Sequence, residues 1–124
     1  MPSTLYEYAI LRLVPRVERE EFLNIGVILY GHADRQLTFR YHIPNEALCA
    51  LAPDFDPEWV TPYLVAMSNH CQGQGPLGDL STVSRFRWLT ATKSTLLQFS
   101  KVHPGYADQP ALEVDRLMKL YVHR

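Results

Sequence analysis

The sequence predicts an α+β domain, a mainly antiparallel sheet of about five strands with two or three helices, formed by residues 1–124 as one unit. Apolar runs of strand length and period-two spacing occupy the first third of the chain. Later segments carry apolar residues at helical spacing, and Pro, Gly, Asn and Asp fall between the two kinds. With 124 residues, 47% hydrophobic and 20% charged, the chain suits one packed core and excludes disorder and collagen-like repetition.

Residues 5–14 form the first expected strand. Tyr6, Tyr8, Ile10 and Val14 point one way and Leu5, Ala9, Leu11 and Leu13 the other, so both faces are apolar and the strand is central. Pro15 ends it. Residues 16–23 are a charged connection, with room for one helical turn, anchored to the core by Val17 and Phe22. Residues 25–30 return as a strand in which Gly26 marks a bulge or a close backbone approach. After the polar turn 32–36, residues 37–43 alternate as a half-buried strand.

A short helix follows over residues 45–52 with Asn45 as N-cap, and a longer one from Pro57 or Pro62 to Gln72. Val60, Tyr63, Leu64, Met67 and Cys71 form its apolar stripe. Residues 73–78 are a glycine-rich loop without the Gly-Lys-Ser/Thr sequel of a phosphate cradle. Residues 83–90, where Phe86 and Trp88 alternate with Arg85 and Arg87, and residues 96–102 are two further expected strands. Pro104-Gly105 reads as a turn, and Asp108 and Pro110 open a last helix with Val114, Leu117, Met118 and Tyr121 on its inner face. The expected core is Tyr8, Ile10, Leu11, Val27, Leu29, Phe39, Tyr41, Phe86, Trp88 and Leu117.

A formal net charge of −1 gives no whole-molecule field toward nucleic acid or an anionic membrane. Charge is nonetheless unevenly spread: residues 41–84 hold five acids and no Lys or Arg, and residues 85–103 hold Arg85, Arg87, Lys93 and Lys101 with no acid. Two cysteines make no disulfide framework, and neither a signal peptide nor an apolar run of membrane length is present, so cytoplasmic residence is expected. His32, His42, Cys49, His70 and Cys71 lack metal-ligand spacing, and neither a metal nor another cofactor is expected.

The candidate binding residues are Arg12, Arg16, Glu18, Asn24, Arg85 and His103. An Arg inside an apolar strand is either paired, with Glu7, Glu18 or Glu21, or reaches a binding surface. Arg16 and Glu18 lie in the loop just beyond a central strand, where a rigid base presents functional groups. Asn24-Ile25-Gly26 places the Asn24 amide beside backbone N–H groups, which suits recognition of a polar group, against the plainer reading of turn chemistry. His103, with Ser100 and Lys101 nearby, supplies the types needed for acid–base work, against the plainer reading of a turn cap before Pro104-Gly105.

Three stretches carry a resemblance. Residues 6–29, with Tyr8-Ala9-Ile10-Leu11-Arg12-Leu13-Val14-Pro15-Arg16 and Phe22-Leu23-Asn24-Ile25-Gly26, join Ser84-Arg85-Phe86-Arg87-Trp88-Leu89-Thr90 and Ser100-Lys101-Val102-His103-Pro104-Gly105. Together they resemble a bacterial domain-of-unknown-function family, numbered three thousand and thirty-seven, over nearly the whole chain. The resemblance implies no catalytic residue. It does imply a partner, because members are often encoded near a kinase-like protein related to bacterial persistence toxins. The first functional expectation is therefore a non-enzymatic binding or regulatory module acting through a protein partner. A second is a small enzyme for a phosphorylated or nucleotide substrate, with Arg12, Arg16 and Arg85 clamping the anion and His103 as acid or base. The third is nucleic-acid binding through residues 85–101, whose bases and rings suit phosphates and stacking.

Overall fold

The computed structural model describes residues 3–91 and 96–123. Strands β1 (Thr4–Leu13) and β2 (Leu23–Gly31) are central in a five-stranded antiparallel sheet. Strand β3 (Leu37–Tyr41) lies outside β2, and β4 (Leu97–Phe99) and β5 (His103–Ala107) share the other edge of β1. Four helices pack on this sheet: α1 (Asn45–Leu51), α2 (Thr61–Cys71), α3 (Thr82–Ala91) and α4 (Pro110–Tyr121). The expected α+β class and five-strand antiparallel sheet are present, with four helices where two or three were expected.

Both faces of β1 and β2 are apolar, so each needs a cover. Ala9, Leu11, Leu13, Leu23, Ile25 and Ile28 pack with Leu48, Leu64, Phe86 and Leu89 of α1, α2 and α3. On the opposite face Tyr6, Ile10, Val27 and Leu29 pack beneath Val114, Leu117 and Met118 of α4. Every one of these side chains is almost fully withdrawn from water, and burial on this scale is the main force holding the layers together. No helix among the described residues is long and apolar enough to cross a membrane.

The irregularity expected near Gly26 is a bulge between β1 and β2, where Leu11 pairs with Gly26 but Arg12 pairs with Asn24, leaving Ile25 extra. The extra residue reverses which way β2 points its side chains. Leu23 thereby joins the helix-packed core, and Asn24 turns to the face that carries Arg12. Gly26 also meets the close-approach condition, because a Cβ there would lie 2.8 Å from the Arg40 carbonyl oxygen.

Two expected elements differ. Residues 83–90 are not a strand but most of α3, which buries Arg85, Phe86 and Leu89 and leaves Arg87 and Trp88 in water. Helical spacing puts residues 85, 86 and 89 on one side, so Trp88 leaves the expected core. Pro104-Gly105 is not a turn either, since both residues lie within β5 opposite Glu7 and Tyr6. Proline is accepted because β5 is an edge strand, and Gly105 is required because a Cβ there would land on the Tyr6 ring. Two β1 residues, Ala9 and Ile10, therefore face three, Ser100 to Val102, and Ser100 Oγ accepts the Ile10 N–H at 2.9 Å.

Smaller differences follow from local chemistry. Pro44 rather than Asn45 holds the N-cap of α1, and Gln109 that of α4. Asp56 accepts Glu58 N–H at 2.9 Å and so caps a 3₁₀ turn, Pro57–Trp59, ahead of α2. Tyr41 at the end of β3 and Tyr63 on α2 face solvent, whereas Val60, Leu64 and Cys71 are buried as the stripe required.

Candidate functional site

The chain between β1 and β2 leaves the sheet at Val14 and re-enters at Leu23, with one 3₁₀ turn, Val17–Arg19, between. Val17 and Phe22, expected to anchor this connection, stand 49% and 45% exposed. Phe22 fails to reach the helix-packed core because alternation from Leu23 sends it to the opposite face, beside Arg12. There the Arg12 guanidinium carbon lies 4.5 Å from the Phe22 ring centroid, a cation–π contact. None of Glu7, Glu18 or Glu21 pairs with Arg12: Glu7 is engaged elsewhere and Glu21 pairs with Arg19.

Arg12 and Asn24 are cross-strand partners on this face, so Asn24 is a strand residue and not a turn residue. Arg12 Nε and Asn24 Oδ1 are both buried without a hydrogen-bond partner, one a donor and the other an acceptor. Unpaired buried polar atoms are rare in folded proteins, and each costs about 1–3 kcal/mol. Close by, Arg16 reaches Asp54 only at 3.9 Å, and Glu18 sits exposed in the 3₁₀ turn. Pro15, Arg16, Ala52, Asp54, Phe55 and Trp59 line a cleft of about 210 Å³, in which Trp59 is 55% exposed and edge-on to Phe55 at 5.0 Å. Arg12, Arg16, Glu18 and Asn24 thus gather at one end of the sheet.

Arg85 and His103 do not join them. Arg85 is 8% exposed on the helix-packed side, its Nη1 donating to the Leu80 carbonyl at 3.4 Å and lying beside Gly73, past the C-terminus of α2. The Leu80 carbonyl and the negative end of α2 suit a buried cation there, although Arg85 Nε is itself buried without a hydrogen-bond partner. Gly73 has φ 81°, and a side chain at that position would press on Arg85 Nη1 at 3.1 Å. His103 begins β5, exposed, with its ring 5.5 Å from Tyr8, four residues along β1 from Arg12, or about 14 Å at strand rise. The anion clamp formed by Arg12, Arg16 and Arg85 with His103 therefore does not assemble in this geometry.

Of the basic stretch 85–101, Arg85 and Phe86 are buried and Lys101 is exposed, while Lys93 lies outside the described residues. Arg87 instead forks onto Glu7, with Nη1 to Oε1 at 3.0 Å and Nη2 to Oε2 at 2.6 Å. His32 Nε2 meets the same carboxylate at 2.8 Å. The Arg87 hydrogen bonds hold the Glu7 carboxyl below the usual carboxylate range against the opposing effect of burial, and His32 adds to the lowering. Sequence reasoning missed this cluster, whose members are 25 and 80 residues apart in the chain. The only local signal was a lone Glu in an apolar strand.

Among the described residues no group of three His, Cys, Asp or Glu is placed to hold a metal ion. Both cysteines are free, and burial pushes the Cys71 thiol up to about 12, which removes it as a nucleophile near neutral pH. No curated protein and no solved structure matches the chain. Residues 8–122 match the family described as a protein of unknown function, DUF3037, and the chain belongs to that family.

Proposed function

We propose that this domain is a non-enzymatic binding module, acting in the cytoplasm, whose docking surface is the end of the sheet formed by the β1–β2 connection and Trp59. The observation that supports this most is the set of exposed apolar side chains, Val17, Phe22 and Trp59, together with Arg12, which lies over Phe22 and has no carboxylate partner among the described residues, and Arg16, whose ion pair with exposed Asp54 is long at 3.9 Å. Interfaces concentrate their energy in aromatic and arginine side chains of this kind. The occupant that fits is a protein presenting an apolar patch bordered by carboxylates, which would complete the charge of Arg12 and Arg16. A kinase-like protein is the first candidate, on the ground of the family resemblance.

Affinity purification of the tagged chain from its native host, with mass spectrometry, identifies the partner, and the reconstituted pair is then measured. Trp59→Ser and Arg16→Glu are expected to weaken binding at least about tenfold, roughly 1.4 kcal/mol. Leu112→Ser, an exposed position on α4, is expected to leave affinity unchanged. Equal affinity for all three variants would remove the docking surface from this end of the molecule.

A further inference from the structure

We propose that the cleft between the outer edge of the sheet and α4 binds a small tetrahedral dianion, a sulfate or a phosphate ester, held by His42 and His123 in their protonated form. His42 follows β3 and His123 follows α4, and packing α4 across the sheet brings their rings to 5.1 Å, tilted by 45°. Both imidazoles are exposed and both line two adjoining clefts of about 360 and about 490 Å³, dimensions that suit a small-molecule site. Met118 and Val122 contribute a buried apolar floor.

The charge of the lining decides what it takes. Arg40 of β3 and Lys119 of α4 contribute two positive charges, and Glu46 of α1 and Asp115 of α4 two negative ones. Arg40 Nη1 donates to the Phe39 carbonyl at 3.2 Å, and none of these four groups has an ion-pair partner among the described residues. With neutral imidazoles the lining is balanced. With both protonated it carries two net positive charges, and the two rings repel each other until an anion lies against them. Protonation puts a donor on both nitrogens of each imidazole, so anion binding here is acid-dependent.

Sulfate is the probe, because it stays a dianion from about pH 5.5 to about pH 7.5 whereas a phosphate ester changes its own charge. Sulfate also stabilises folded proteins generally by exclusion, so the readout is residue-specific chemical shift and not thermal stability. Titrating ¹⁵N-labelled protein at pH 5.5 and pH 7.5, with chloride at matched ionic strength, is expected to give saturable shifts around His42 and His123 that weaken at least about tenfold at the higher pH. His42→Gln and His123→Gln, both at exposed positions, are expected to abolish the pH 5.5 shifts while the denaturation midpoint stays in place. Non-saturable shifts at both pH values, or shifts that survive both substitutions, would overturn the site.

Discussion

Strand β1 passes through two environments on a single face. At Tyr6 and Ile10 the sheet is sealed by α4, and Val27, opposite Ile10, and Leu29, opposite Tyr8, are fully buried. At Arg12, beyond the reach of that helix, the same face carries a guanidinium, an amide and a half-exposed phenylalanine, with one donor and one acceptor unsatisfied. The change from one to the other takes two residues and is completed by the bulge that turns Asn24 toward Arg12. Apolar burial is spent on stability at the first end, whereas the second leaves recognition chemistry in place on the same rigid strands.

Substitutions at the sealed end should therefore damage folding and spare binding chemistry. Ile10→Ala is expected to destabilise by about 2–5 kcal/mol in urea unfolding, the range for an emptied aliphatic site. An unchanged midpoint would break the comparison at its first member. Gly105→Ala, which drives a methyl into the ring of buried Tyr6, should cost about 1–3 kcal/mol by overpacking.

The Glu7 cluster gives a smaller effect with a definite pH signature. Its folded pKa is depressed, so its contribution is present above the unfolded value of about 4.5 and is lost as pH falls through the lower folded value. Glu7→Gln should cost about 1 kcal/mol at pH 7, discounted because half of Arg87 faces water, and should flatten the loss of stability below about pH 4.5. Parallel pH profiles for the variant and the parent would remove Glu7 from the account. Smallest of all, Glu20 adopts φ 55° in the β1–β2 connection, and Glu20→Gly should stabilise by about 0.5–1 kcal/mol. Chemical denaturation at neutral pH reads that gain.

The parts of the fold legible in the sequence are those whose apolar periodicity runs unbroken by a buried polar residue. The two-sided apolar alternation of β1 and the inner stripe of α4 belong to this class, and Gly26 announced the bulge. Helix α3 was hidden because its buried row includes Arg85, which breaks the apolar stripe and leaves Phe86 and Trp88 looking like a period of two. Strand β5 was hidden because Pro104-Gly105 has turn chemistry, and only the distant Tyr6 ring explains a glycine in a strand. Of the candidate residues, Arg12, Arg16, Glu18 and Asn24 come together because they flank one connection. Arg85 and His103 are separated from them by the thickness or the length of the sheet, which no local pattern encodes.

The most direct test measures stability and partner affinity together on Arg12→Met. Arg12 has no carboxylate partner to strand, and losing its guanidinium contact with Phe22 is offset by removing the buried, unpartnered Nε, so unfolding free energy should stay within about 0.5 kcal/mol of the parent. Affinity for the purified partner should fall at least about tenfold. A variant that binds as tightly as the parent, or one that loses the stability expected of Ile10→Ala, would contradict the division of β1 into a folding end and a binding end.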